Sequence, residues 1–235
     1  MMNLACAARC FALVPCAGVG QRAAAGGPKQ YADLAGRAVV AHTLDALARV
    51  NRLAATLVVL APDDDVFERH VPGFDAPWLA RCGGASRAAS VHNGLDALRQ
   101  RGASDNDWVL VHDAARCLIQ PAWVDRLIDA CWTDAVGGLL ALPLADTLKE
   151  AAPLESARVA STVPRAGKWA AQTPQMFRLG MLHRALLEAG PDVTDESSAI
   201  EALGLAPLLV PGDLENLKLT WPADFALARR LLETR

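Results

Sequence analysis

The chain of 235 residues has no excess of basic residues, no long apolar run and no paired cysteine motif. Its formal net charge is −3, whereas a general nucleic-acid binder shows a basic excess. A small anionic ligand held by a few local Lys and Arg side chains stays open. No stretch approaches the ~18 apolar residues that a membrane span needs. Met1 to Ala8 carries no basic n-region, and Arg9 sits inside the apolar run. The run Cys10–Pro15 therefore reads as a first strand and not as a signal peptide. The six cysteines, at positions 6, 10, 16, 82, 117 and 131, form no C-x-x-C pair. Reduced, mostly buried thiols in a cytosolic protein are expected. No G-x-S-x-G elbow is present, which argues against a serine hydrolase. His42, His70, His92 and His183 show no H-x-x-x-H spacing, which argues against a zinc site. Repeats, low-complexity tracts and linkers are missing too, so one domain spanning 1–235 is expected.

What is present is a core. The chain is 52% hydrophobic and 21% charged, which excludes a disordered or fibrous protein. At this size roughly 70–75% of the unfolded surface should be buried, without disulfides. Short apolar runs alternate with helical patterns. Strands are expected at 11–15, 56–61, 108–112 and 137–142. Helices are expected at 39–50, after a Ser86 cap, and after Pro121, whose apolar stripe is Val124, Leu127, Ile128 and Cys131. Solid apolar strands separated by helices predict an α/β fold with a mostly parallel sheet covered on both faces. Ligands in such folds bind outside the carboxyl ends of the strands. That rule selects 16–29, 83–90 and 113–116. The rhythm breaks at 145–170, a charged segment that reads as an excursion from the core, either a hairpin arm or a solvated loop. It resumes with helices near 179–188 and 195–203, a strand at 208–210, then 216–220 and a final helix after Pro222.

The segment Pro15-Cys16-Ala17-Gly18-Val19-Gly20-Gln21-Arg22 directly follows the first strand. Its glycines let backbone N–H groups approach a phosphate closely. Gly18-x-Gly20-x-x-Ala23 also fits a dinucleotide fingerprint. Two details oppose a dinucleotide-dependent oxidoreductase: Gly26-Gly27-Pro28 breaks the helix that should follow, and the next strand ends at Asp63, far beyond the ~20-residue spacing of the ribose acid. The P-loop pattern fails because Gln30 follows Lys29. Arg22 and Lys29 facing the loop suit a triphosphate, whose charge needs neutralising at several oxygens; a plain tight turn with solvated cations is the alternative. In His112-Asp113-Ala114-Ala115-Arg116, a carboxylate ends a buried strand. It suits a Mg²⁺ ligand beside a phosphate contact, or an internal Asp–Arg pair. His112 alternates out of phase with Asp113 and reads as a packed core histidine.

The string LVPCAGVGQRAAAGGPKQY resembles the VPAAGxGxRM…PKQY signature of the 2-C-methyl-D-erythritol 4-phosphate cytidylyltransferases. VLVHDAAR, GGLLALPLADTLK, AAQTPQMFRLGML, VTDESSAIEALG and ENLKLTWPADFALA resemble further blocks of that family, in its order, over residues 10–233. The resemblance implies a Rossmann-like nucleotidyltransferase fold and a cytosolic, Mg²⁺-dependent enzyme of non-mevalonate isoprenoid synthesis. Such an enzyme joins CTP and the sugar-alcohol phosphate to give 4-diphosphocytidyl-2-C-methyl-D-erythritol and pyrophosphate. It also implies a homodimer interlocked through an arm at about 145–170.

By the same resemblance Cys16, Ala17, Gly18 and Gly20 lie near the nucleotide. Gly84 and Ser90 match positions contacting cytosine and sugar, and Asp113 matches the metal and ribose ligand. Arg22, Lys29 and Lys218 match catalytic cations. Arg116, Thr147, Arg165, Thr173 and Thr194 match substrate-side positions, with Thr147 and Arg165 reaching the partner's site. The chain departs from the pattern at Cys16, Gln21, Ala23, Ala85 and Cys117, where the family commonly has Ala, Arg, Met, an acidic residue and Pro. A ribitol-5-phosphate cytidylyltransferase shares the glycine loop and the HDAAR-like block. A non-catalytic nucleotide-binding protein on the same fold is opposed by the joint presence of Lys29, Asp113 and Lys218.

Overall fold

The structure, a computed structural model, describes residues 7–18, 27–152, 158–189 and 193–234. The first strand, β1 (Cys10–Pro15), is apolar on both sides because helices cover both faces of the sheet. A helical pattern follows as α1 (Val39–Ala48), after a short antiparallel pair β2 (Asp33–Leu34) and β3 (Arg37–Ala38). Next come β4 (Ala55–Val59), the short α2 (Phe67–His70) and β5 (Leu79–Ala80). α3 (Arg87–Gln100) begins where expected: Ser86 accepts a hydrogen bond from the Ala89 amide and caps it. β6 (Trp108–Val111), α4 (Pro121–Cys131) and β7 (Gly137–Pro143) complete the alternating part of the chain.

The expected arm is a hairpin of β8 (Leu148–Ala151) and β9 (Val159–Val163), which among the described residues pair only with each other. The chain then returns through β10 (Trp169–Arg178), α5 (Leu179–Glu188), α6 (Glu196–Ala202), β11 (Leu208–Pro211) and α7 (Pro222–Glu233).

The main sheet has seven strands in the order β11-β7-β10-β6-β1-β4-β5. All pairings are parallel except those of β10, which runs antiparallel to both β6 and β7. The expectation of a mostly parallel sheet holds, and β10 is the element the periodicity did not announce. Its interior carries Gln172, Thr173, Pro174 and Gln175, a composition that reads as a break and not as a central strand. The register shifts between Ala171 and Gln175, so the proline falls where no regular ladder bond is required. Residues 216–220 form no strand; they run irregularly past the end of the sheet, tied by the Leu219 amide to the Ala115 carbonyl.

Alternate residues of β1 feed opposite cores. Ala12 and Val14 join Leu44 and Leu47 of α1 and Leu127 and Ile128 of α4. Phe11 and Leu13 join Leu95 and Leu98 of α3, Leu182 of α5 and Ile200 of α6. Cys10, Cys16, Cys117 and Cys131 are buried free thiols and Cys82 is half-buried; burial pushes Cys10 and Cys131 up to about 12. Cys6 lies outside the described residues. α3 approaches the sheet closely at Gly94, where a Cβ would stand 2.7 Å from Val59 Cγ2 and 2.8 Å from Leu13 Cδ1. This contact fixes the height of α3 over the strand ends. Replacing Gly94 by Val should lower unfolding free energy by about 1–3 kcal/mol, as for overpacking of a dense core. A urea melt checks this; a midpoint equal to that of the parent protein would contradict the close approach.

Candidate active site

The loops after β1, β5 and β6 leave the sheet at one end. Backbone bonds extend the strands into these loops: Cys16 N donates to Val59 O, Gly83 N to Leu60 O, and His112 N to Leu13 O. Between them lies a cleft of about 370 Å³. Its walls bring together Cys16, Ala17 and Gly18, then Lys29, then Gly84 and Ser90, and finally Asp113 and Lys218. These eight residues, scattered over two hundred positions, are among those singled out in the sequence. Gly20 and Arg22, expected beside them, lie outside the described residues.

Local chemistry explains each wall. Gln30 is buried, and its Nε2 donates to Cys16 O at 2.9 Å and Gly18 O at 3.0 Å, holding the glycine loop from within. Gly83 and Gly84 must lack side chains. A Cβ on the first would meet Ala17 Cβ at 2.3 Å, and on the second Ala89 Cβ at 2.6 Å. Gly84 N donates to Ser90 Oγ at 3.0 Å, and that hydroxyl donates to Ser86 O at 2.9 Å. Lys29 Nζ donates to Leu219 O at 3.1 Å, joining the first loop to the segment that carries Lys218.

Asp113 is the electrostatic centre. Arg87 Nε donates to its Oδ1 at 2.9 Å, and Lys218 Nζ lies 2.7 Å from Oδ2. Burial alone would raise the carboxyl pKa, but Arg87 and Lys218 outweigh it and hold the group well below the usual carboxylate range. Arg87 also forms a bidentate pair with Glu196, at 2.6 and 3.0 Å. Glu196 is fully buried at the start of α6. Desolvation would lower the Arg87 pKa, but its two carboxylate partners outweigh that and raise it. Neither Arg87 nor Glu196 was singled out in the sequence. The available signal was the place of Arg87, first in a capped helix at a sheet's carboxyl end, together with an acidic residue at the first position of another helix.

The internal pair expected as one reading of Asp113 exists, but with Arg87 and not Arg116. Arg116 donates to two backbone oxygens, Asn216 O at 2.7 Å and Ala171 O at 3.3 Å. Thr173 is buried; its Oγ1 accepts from Asp113 N at 3.0 Å and lies 3.1 Å from His112 Nδ1. Thr194 is exposed and lines a neighbouring cavity of about 420 Å³ that shares Arg87 with the cleft. Thr147 and Arg165 are exposed on either side of the hairpin arm, and neither lines the cleft.

His112 is fully buried, as read from its phase, with Nε2 3.1 Å from Arg116 O. Burial pushes its pKa down from 6.5 to about 4. A depressed imidazole pKa gives stability that is complete above pH 6.5 and is lost as pH falls toward 4. The parent protein should therefore lose on the order of 3 kcal/mol of unfolding free energy from this group across that window. His112→Gln should show a flatter decline in denaturant melts at stepped pH; equal slopes would sink the assignment.

A clamped carboxylate, two ammonium groups and small-residue walls at strand ends suit a polyanion whose phosphates need dispersed positive charge. The family model described as "IspD: 2-C-methyl-D-erythritol 4-phosphate cytidylyltransferase" matches residues 10–234. A "Bifunctional enzyme IspD/IspF" of Albidiferax ferrireducens is 62% identical over 229 residues, covering 97% of this chain. The chain spans only 54% of that relative's length. A 2-C-methyl-D-erythritol 4-phosphate cytidylyltransferase of Paraburkholderia phymatum is 55% identical over 227 residues, covering 95% of this chain and 96% of the relative. Among solved structures, a 4-diphosphocytidyl-2C-methyl-D-erythritol synthase superposes with a TM-score of 0.84 at 42% identity, covering 96% and 98% of the two chains. The 2-C-methyl-D-erythritol 4-phosphate cytidylyltransferase of Thermus thermophilus gives 0.77 at 30% identity, covering 96% and 99%.

Proposed function

This chain belongs to the 2-C-methyl-D-erythritol 4-phosphate cytidylyltransferase family, and from that premise we propose that it joins CTP and 2-C-methyl-D-erythritol 4-phosphate, releasing pyrophosphate. The observation that carries this reading is Asp113 held between Arg87 and Lys218 in a cleft that Lys29 also lines. A phosphate oxygen of the acceptor attacks the α-phosphorus of CTP, and the bond to the β,γ-pyrophosphate breaks. The nucleophile already carries about −1.5 to −2 charge, so no general base is required. The barrier lies in bringing anions together: two unit charges at ~4 Å in an effective dielectric near 20 repel by about 4 kcal/mol. Lys29 and Lys218 offset this as charge gathers on the leaving pyrophosphate, and Arg22 is expected to act with them. Gly18, Gly84 and Ser90 shape the nucleotide side of the cleft.

Asp113 fits a Mg²⁺ site of the kind that uses one carboxylate and takes its other ligands from phosphate and water. The carboxylate stays ionised at every working pH, and each oxygen retains a lone pair beside its Arg87 or Lys218 bond. When bound there, the ion supplies Lewis-acid neutralisation of phosphate charge. Arg116, Thr173 and Thr194 belong to the acceptor side in this reading. Thr147 and Arg165, on the arm, reach the cleft of a second copy in a homodimer, and the setting is cytosolic.

Pyrophosphate release from CTP and Mg²⁺ tests the function, with methylerythritol phosphate and ribitol 5-phosphate as competing acceptors. Turnover should be specific to the first; turnover with ribitol phosphate alone would overturn the reading. In the same assay Lys29→Ala should lower kcat by about 10²-fold, the scale of one lost transition-state contact, while its circular dichroism stays unchanged. The shared site has its own test: Lys29→Ala and Arg165→Ala chains, each impaired, should regain activity on mixing, because one cleft in the heterodimer keeps both residues. Absence of any recovery, with heterodimers present, would argue for a site built from one chain.

A further inference from the structure

Away from the cleft, α3 and α5 pack side by side and bring two imidazoles and a carboxylate together. His92 and Asp96 stand four residues apart on one face of α3, and His183 projects from α5. His183 Nε2 lies 3.0 Å from Asp96 Oδ1, and His92 Nδ1 lies 3.9 Å from Asp96 Oδ2. The rings of His92 and His183 are 4.2 Å apart between centroids. One donor atom from each of the three residues falls within 4.8 Å of the others. The spacing rule applied to the sequence looked along a single helix, whereas here the third donor comes from a neighbouring one.

Several observations favour a ligand over simple packing. His92 Nε2 is buried with no hydrogen-bond partner among the described residues, and buried polar atoms of this kind are rare without a reason. Arg99 holds Asp96 only loosely: its Nη1 lies 3.6 Å from Asp96 Oδ1, while its Nε and Nη2 donate to Asp105 at 3.0 and 2.8 Å. An ion also has a way in. His92 borders the 420 Å³ cavity, and the Asp96 side chain is 46% exposed.

We propose that His92, Asp96 and His183 form a binding site for one Zn²⁺-class transition-metal ion that staples α3 to α5, with water completing the shell. Two imidazoles and one carboxylate match Zn²⁺ in donor type. Tetrahedral ligation at about 2.1 Å needs donors about 3.4 Å apart, so the present cluster closes by roughly an ångström through side-chain rotation. Mg²⁺ does not compete, because it takes oxygen ligands. None of the three ligands is a residue assigned to the reaction, although the cavity beside His92 is also lined by Arg87 and Thr194.

The test is a calorimetric titration of the full reduced chain with Zn²⁺ alone, in excess Mg²⁺, together with thermal melts and the absorption spectrum of a Co²⁺ adduct. One equivalent should bind and raise Tm. Asp96→Asn and His183→Gln should weaken binding at least tenfold and lose the Tm increment, whereas Cys82→Ser should change neither. The Co²⁺ adduct should lack a thiolate charge-transfer band. No stoichiometric binding, equal affinity in Asp96→Asn, or binding abolished by Cys82→Ser would each overturn the proposal. Should His183→Gln fail to fold, as judged by circular dichroism, the partly exposed Asp96→Asn decides.

Discussion

The cleft depends on a chain of ion pairs, Glu196 to Arg87 to Asp113 to Lys218, buried at its two carboxylates and open to solvent at Lys218. Each link comes from a different part of the molecule: the start of α6, the start of α3, the end of β6 and the irregular segment before α7. Desolvating an ion costs several kcal/mol, and removing one partner of a buried pair leaves the other uncompensated, at about 3–5 kcal/mol. The four elements are therefore coupled. Glu196, Arg87 and Asp113 cannot separate without stranding a buried charge, so the wall they form is already assembled before an anion arrives. Such preorganised positive charge needs little rearrangement when the phosphates bind.

The charge chain works only because backbone is allowed close to backbone around it. Gly83 and Gly84 let one loop lie against Ala17 and Ala89. Gln30 ties two carbonyls of the glycine loop to the turn that carries Lys29. Cys16 is buried and contributes its backbone oxygen to that tie, so its side chain takes no part in the contact. Ala85 lines the cleft without any polar side-chain atom, so the polar atoms on that wall come from the main chain, Ser86 and Ser90.

The parallel strands and their helices were legible because apolar periodicity is local: β1, α1, α4 and α5 stand where their patterns place them. Lys29, Asp113 and Lys218 were legible from motif strings and from the rule about strand ends. β10 was hidden by its own composition, since Gln172, Thr173 and Gln175 face inward to bond the Asp213, Asp113 and Asp195 regions and not to pack. Arg87 and Glu196 were missed for a related reason. A buried ion pair between two helices leaves no periodic trace in either one. Leu217 and Leu219 alternate with polar neighbours as in a half-buried strand, yet the segment bonds to a loop instead of a ladder.

The arm is rooted in the middle of the sheet, between β7 and β10, and not at an edge. β10 starts at Trp169 beside that root, and four residues later presents Thr173 to the amide of Asp113. Four residues of extended chain span about 13 Å. The hairpin and the seat of the buried carboxylate thus hang from a single strand, one at its root and the other at its bulge.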